Sequence, residues 1–183
     1  MHTPQKILVV EDMATQALKM TQVLKASGFQ PSVAKSGEQA LELLAADPHW
    51  DAIISDVKMP NIDGFELCKR VKNSPQTKDI PFVLLLSLAD TKDGLEALSC
   101  GADNVMLKDY DKNYFIPHLL NILATACEIK NEPAVAGRVL FAGKWHEISA
   151  PPSRLTSFVL SSFVMAVHDK STQQREVSNS ARP

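Results

Sequence analysis

Three carboxylates stand at the ends of apolar runs whose composition is typical of buried strands. Asp56 follows residues 52–55, and the pair Glu11 and Asp12 follows residues 6–10. Because open parallel sheets bind ligands at the carboxyl ends of their strands, these acids are expected to converge. Carboxylates about 5 Å apart repel by roughly 3 kcal/mol per pair at an effective dielectric of about 20. The cluster therefore requires a cation.

Mg²⁺ suits this cluster best, because it prefers oxygen ligands and is commonly held by one or two carboxylates with phosphate oxygens and water. The sequence offers no grouped cysteines and histidines that would indicate zinc. Two further runs, residues 80–86 and 105–107, end in Ser87 and Lys108. Each of these residues alone would be an ordinary strand-end cap or surface lysine. Together with the acids they predict a site that accepts a phosphoryl group on Asp56.

Helical patterns alternate with the strand-like runs and position these residues. Gly28 is a suitable cap for the end of the first helix, and Ser36 is suited to begin the second. The alternation predicts five strand-helix units in a doubly wound α/β fold, with a five-stranded parallel sheet of order 2-1-3-4-5. The predicted helices cover residues 14–27, 37–47, 64–73, 91–99 and 112–129.

Residues 5 to about 129 resemble the receiver domain of two-component response regulators, which has a flavodoxin-like fold. The resemblance rests on several short motifs that occur together and in order. These are Glu11-Asp12, Asp56 with Met59-Pro60 and Asp63-Gly64, Ser87, and Gly101-Ala102-Asp103 with Lys108.

The resemblance implies a role for each site residue. Glu11, Asp12, Asp56 and the backbone carbonyl of Lys58 would hold Mg²⁺. Asp56 would take the phosphoryl group from a phosphohistidine of a sensor histidine kinase or phosphotransfer protein. Ser87 would contact that group and Lys108 would pair with it. Such a protein is a phosphoacceptor with self-catalysed, Mg²⁺-dependent phosphotransfer and dephosphorylation rather than an enzyme.

Aspartyl-dependent phosphatases are a weaker alternative. Those enzymes carry the nucleophile after the first strand and a second aspartate two residues later. Here Glu11 and Asp12 are adjacent, and the candidate nucleophile Asp56 follows the third strand.

Three positions depart from the family pattern, of which Ser87, in place of the commoner threonine, is a mild change. Lys108 is followed by Asp109 where receivers commonly have a proline, and a cis bond before a non-proline residue costs about 3 kcal/mol. Val105 stands where many receivers carry a tyrosine or phenylalanine that moves when the hydroxyl residue approaches the phosphate. These departures favour an alternative function, a dimeric connector or scaffold that acts independently of phosphate.

Composition limits the remaining possibilities. The 183 residues carry a net charge of -2, which gives no basic footprint for nucleic acid. The three cysteines are scattered, as in reduced cytoplasmic proteins. There is no signal-peptide pattern, and the apolar stretch at residues 158–167 is too short to span a membrane. We therefore expect a cytoplasmic protein without a DNA-binding output.

The pattern changes after the predicted receiver domain, residues 1–129. A linker is expected at residues 130–137 and a β-hairpin at 138–149, where two short alternating runs flank a turn. Prolines at the first turn introduce a long helix over residues 150–175. The polar residues 176–183 are predicted to be disordered.

The predicted C-terminal helix carries apolar residues on two faces, one including Leu155 and Phe158 and the other Leu160 and Val164. One partner surface cannot bury both faces, and exposed apolar patches usually mark interfaces. We therefore expect a homodimer formed through the hairpin and helix. The alternative is a helix folded back onto its own receiver. The extension also resembles the connector that follows some receivers in hybrid histidine kinases, so the chain could be the N-terminal receiver fragment of such a kinase.

Overall fold

The computed structural model describes residues 4–87, 93–108, 112–129, 132–133, 135–141, 144–156 and 159. Five parallel strands form one sheet in the order β2-β1-β3-β4-β5, which confirms the predicted fold class. The strands are β1 (Lys6–Val10), β2 (Gln30–Ala34), β3 (Ala52–Asp56), β4 (Phe82–Leu86) and β5 (Asn104–Leu107).

Five helices connect and follow the strands, with bounds close to those predicted. They are α1 (Ala14–Ala26), α2 (Gly37–Ala46), α3 (Gly64–Asn73), α4 (Asp93–Ser99) and α5 (Lys112–Ile129). Gly28 follows α1 with a φ of +86°, a conformation that favours glycine. The Ser36 side chain accepts a hydrogen bond from the Gln39 amide and caps α2.

The sheet separates two hydrophobic clusters, because successive side chains of a strand point to opposite faces. On one face, Leu8 and Val10 of β1 pack in a cluster with residues of α2, α3 and α4. On the other face, Ile7 and Val9 pack with residues of α1 and α5. The central strands are therefore buried on both sides, and their carboxyl ends are held at one edge of the sheet. In the part of the chain that is described, no helix is both long and apolar enough to cross a membrane.

An antiparallel hairpin follows α5, with strands β6 (Val135–Phe141) and β7 (Lys144–Ala150). It is longer than the sequence predicted, because β6 begins within residues 130–137, the range expected to be a linker. Seven residue pairs align in register, from Val135 with Ala150 to Phe141 with Lys144. The pairing therefore includes residues 135–137, which the sequence placed in the linker.

Residues 152–156 and 159 of the predicted C-terminal helix 150–175 are helical, but Ala150 still belongs to β7 and Pro151 precedes the helix, so the helix begins later than predicted. Residues 157, 158 and 160–175 of the predicted helix and the predicted tail 176–183 lie outside the described residues.

Candidate functional site

The Asp56 carboxylate lies at the carboxyl end of β3, and only 2% of the residue is exposed. The loop that follows returns close to the strand, where the Gly64 amide donates to the Val57 carbonyl over 2.9 Å. A Cβ atom on Gly64 would overlap the Asp56 carbonyl oxygen, so this position requires glycine. The adjacent Asp63 accepts a hydrogen bond from the Glu66 amide and begins α3. Asp63 and Gly64 together thus determine the conformation of the loop beside Asp56.

Both carboxylate oxygens of Asp56 have partners. The Val57 amide donates to Oδ1 over 2.7 Å, and Lys108 Nζ donates to Oδ2 over 2.6 Å. Lys108 is held at the end of β5 by its own amide, which donates to the Leu86 carbonyl over 2.9 Å. The buried carboxylate is therefore fixed in orientation and paired with an ammonium, as burial of a charge requires.

Glu11 and Asp12 lie beside Asp56, as predicted from the position of all three acids at the ends of strands. One ligand atom from each of the three acids lies within 4.8 Å of the others. Glu11 is 3% exposed, its Oε1 accepts from the Met13 amide over 3.2 Å, and its Oε2 lies 3.7 Å from Lys108 Nζ. This oxygen set is of the kind that holds a hard divalent cation.

Burial raises the pKa of Glu11, because the charged form loses water, and the neighbouring Asp56 charge acts in the same direction. The Met13 hydrogen bond and the Lys108 ammonium oppose this effect only in part. The site thus disfavours the charged form of Glu11, mainly because this carboxylate is removed from water.

Ser87 follows β4 and is exposed at the same edge of the sheet. It lines a cavity of about 360 Å³ together with Glu11 and Lys108. Two residues of this cavity, Gln16 and Lys19 of α1, were not identified from the sequence. Their three-residue spacing places them on one face of α1, and this spacing was the only sequence pattern that linked the two residues.

The remaining predicted positions lie nearby. Lys58 is an exposed residue in the loop after β3, and its carbonyl as a Mg²⁺ ligand stays a prediction. Val105 is 1% exposed within β5 and packs in the cluster with α3 and α4, so no aromatic side chain occupies this position. Asp109 lies outside the described residues.

The fold and the site together define a flavodoxin-like α/β protein with a cluster of two buried acids and one exposed acid at the carboxyl edge of its parallel sheet. Residues 7–119, more than half of the chain, match the family model of the response regulator receiver domain. The chain therefore belongs to the response regulator receiver domain family.

One relative is the response regulator PleD of Caulobacter vibrioides, which is 36% identical over 106 residues. That alignment covers 58% of this chain and 23% of PleD, so the chain spans less than a quarter of that relative's length. A solved receiver domain of a signal transduction histidine kinase from Syntrophus aciditrophicus is 34% identical with a TM-score of 0.62. The match covers 72% of this chain and 96% of that domain.

The receiver domain of a sensor histidine kinase from Pseudomonas aeruginosa is similar in fold, with a TM-score of 0.62 and 22% identity. The match covers 67% of this chain and 99% of that domain. That structure has a magnesium ion coordinated in its active site cleft. At this identity the comparison supports the shared fold alone.

Proposed function

We propose that Asp56 accepts a phosphoryl group from the phosphohistidine of a sensor histidine kinase or phosphotransfer protein. A carboxylate oxygen of Asp56 forms a bond to phosphorus as the bond to the histidine nitrogen breaks, and the product is an acyl phosphate. The observation that supports this assignment is the buried Asp56 carboxylate, fixed by the Val57 amide and paired with Lys108 Nζ. Phosphoryl transfer requires mainly such positioning and charge compensation.

Mg²⁺ fits the site because Glu11, Asp12 and Asp56 converge, and the Lys58 carbonyl is proposed as a further ligand. When bound, the ion would offset the negative charge that gathers on the transferred oxygens. Lys108 remains close enough to Asp56 to pair with a phosphoryl oxygen. Ser87 is proposed to donate its hydroxyl hydrogen to the same group. These are the roles of a self-catalysing phosphoacceptor, which both accepts and hydrolyses its phosphoryl group.

Labelling by a small phosphoryl donor tests the assignment. The full chain should be labelled by acetyl phosphate in the presence of Mg²⁺, as measured by intact-protein mass. D56N should abolish labelling, because the amide lacks the nucleophilic oxygen charge. The matched control is D79N, since Asp79 is an exposed aspartate between α3 and β4. Full labelling of D56N, or equal loss in D79N, would contradict the assignment.

For the output we propose signalling through protein contacts rather than DNA binding, in the cytoplasm. The support is the net charge of -2, which gives no electrostatic attraction for a phosphate backbone. Onward phosphotransfer within a hybrid histidine kinase is the alternative, favoured by the similarity to the Syntrophus aciditrophicus kinase receiver. A binding titration with duplex DNA at low salt checks the proposal, and salt-dependent binding would contradict it.

We further propose that the chain forms a homodimer through its hairpin and C-terminal helix. Three large apolar side chains of this region are more than half exposed: Val135 (53%), Trp145 (60%) and Val159 (67%). Sedimentation velocity of the full chain should give a dimer, and the double variant W145S/V159D should give a monomer. The control L18D changes an equally exposed residue of α1, 58% exposed, and should remain dimeric. A monomeric wild-type chain would favour the fold-back alternative, and a dimer in the double variant would move the interface elsewhere.

A further inference from the structure

The start of β5 carries a second, partly buried charge cluster, centred on Asp103 and distinct from the acidic site. Its Oδ2 accepts from the Phe82 amide over 2.7 Å and lies 2.5 Å from Lys72 Nζ. Its Oδ1 lies 2.7 Å from Arg154 Nη2. The three side chains are only 11–19% exposed, so these charges are largely removed from water. One carboxylate thus joins α3, β4 and the C-terminal extension.

Arg154 attaches the extension to the receiver through more than one contact. Its Nη1 also donates to the Gly101 carbonyl over 3.3 Å. The strand before it, β7, packs against α4 and ends at Ala150, which is 1% exposed. The side chain of Glu132 accepts from both the amide and the hydroxyl of Ser153, so the residue before the hairpin is tied to the segment that follows β7. Residues 144–156 therefore dock on the receiver as one unit.

The docking contact lies within the segment that connects two groups of the phosphoacceptor site. Ser87 precedes α4, and the described residues 93–108 form one piece of chain that runs from α4 through β5 to Lys108. Asp103 lies between α4 and β5 in this piece. Lys108 Nζ is 2.6 Å from Asp56, so a phosphoryl group there must change the partner of this ammonium. Val105 supplies no aromatic side chain that could relay the change.

We propose that residues 144–156 are a tethered ligand of the receiver, with Arg154 on Asp103 as the contact that favours the unphosphorylated arrangement of Ser87 and residues 93–108. This inference rests on the proposed function. Phosphorylation of Asp56 draws Ser87 and Lys108 toward the phosphoryl group and weakens the docking of the extension, because a packed core changes between discrete arrangements rather than by gradual deformation. By thermodynamic reciprocity, weakening the Arg154 contact strengthens binding of a phosphoryl analogue.

Calorimetric titration of the full chain with beryllofluoride and Mg²⁺ tests this coupling. R154M should bind the analogue about fivefold more tightly than the wild-type chain, the lower end of ordinary allosteric coupling. The receiver should stay folded, because Lys72 still pairs with Asp103 and also donates to the Ile80 carbonyl. R154K keeps the charge and should bind nearly as the wild type does. The matched control R138M alters an exposed arginine of β6 that stacks 5.0 Å from the Trp145 ring centroid, and it should not change the affinity.

Amide hydrogen exchange supplies the reciprocal measurement. Beryllofluoride should increase exchange across residues 144–156 in the wild-type chain, and R154M should show that faster exchange already without the analogue. An R154M affinity equal to or weaker than that of R138M overturns the inference, as does an extension whose exchange does not respond to the analogue. A wild-type chain that binds no beryllofluoride overturns the proposed function, and the inference with it. Normal binding without coupling overturns the inference alone.

Discussion

Replacing Lys108 with methionine should destabilise the protein most at neutral pH and without Mg²⁺. The variant keeps a long apolar side chain but leaves the buried Asp56 and Glu11 without their ammonium. Two unit charges about 4 Å apart interact by about 4 kcal/mol at an effective dielectric of 20. Lys108 is 23% exposed, so water already weakens part of this interaction. We expect a loss of about 3 kcal/mol in the free energy of unfolding, within the range for breaking a buried ion pair.

The pH dependence follows from Glu11. Its pKa in the folded protein is raised above the usual 4.5. At pH values between the unfolded pKa and the folded pKa, the folded protein therefore binds more protons than the unfolded chain. Stability contributed by protonated Glu11 is therefore present at low pH and is lost as pH rises through the folded pKa. Lys108 lowers the pKa of Glu11, so removing Lys108 widens the pH range in which Glu11 is protonated only in the folded protein. The cost of K108M should accordingly be smaller at pH 4 than at pH 7.

Urea denaturation of K108M and wild type at both pH values, with and without Mg²⁺, measures these effects. Saturating Mg²⁺ should stabilise K108M more than the wild type, because the ion replaces the missing positive charge. The control K35M removes an exposed lysine after β2 and should change stability by less than about 0.5 kcal/mol. A K108M loss below about 1 kcal/mol, or one equal at pH 4 and pH 7, would refute the reasoning.

Three further changes test the surroundings of the site. D63A removes the side-chain cap of α3 and should lower the free energy of unfolding by about 1 kcal/mol, measured by urea denaturation; no loss would exclude a capping role. G64A places a Cβ against the Asp56 carbonyl and should cost about 3 kcal/mol and slow labelling by acetyl phosphate; wild-type stability and labelling would contradict the close approach. Burial lowers the pKa of His118 below 6.5, so the folded state disfavours its charged form and stability should rise with pH up to about 6.5. H118Q should flatten that rise in a thermal-melting series, and an unchanged slope would assign it to other groups.

The site was predictable because its residues end buried strands. A run without polar alternation marks a central parallel strand, and parallel strands present their carboxyl ends on one edge. Asp56, Glu11 and Lys108 therefore followed from position in the sequence, although they lie far apart along the chain. Gln16 and Lys19 were missed because their three-residue spacing indicates a shared helix face but not what that face lies against.

The extension was less predictable. Val135, Ala136 and Gly137 carry no alternating pattern, yet they pair with β7 as far as Ala150. Backbone hydrogen bonding, which is independent of side-chain type, extends the ladder. The contact between Arg154 and Asp103 joins residues from different parts of the chain, and neither residue has a local pattern that indicates the other. Such a pair can be identified only once the relative positions of the packed helices and strands are known.

The order of the site residues along the chain determines when the protein becomes competent during synthesis. Glu11 follows β1, Asp56 ends β3 and Lys108 follows β5, and parallel pairing joins strands that are distant in sequence. Such non-local contacts form late in folding. A nascent chain that has not yet released β5 from the ribosome presents the acids without the ammonium that compensates them. Under the proposed function, the chain therefore becomes able to accept a phosphoryl group only when the sheet is complete.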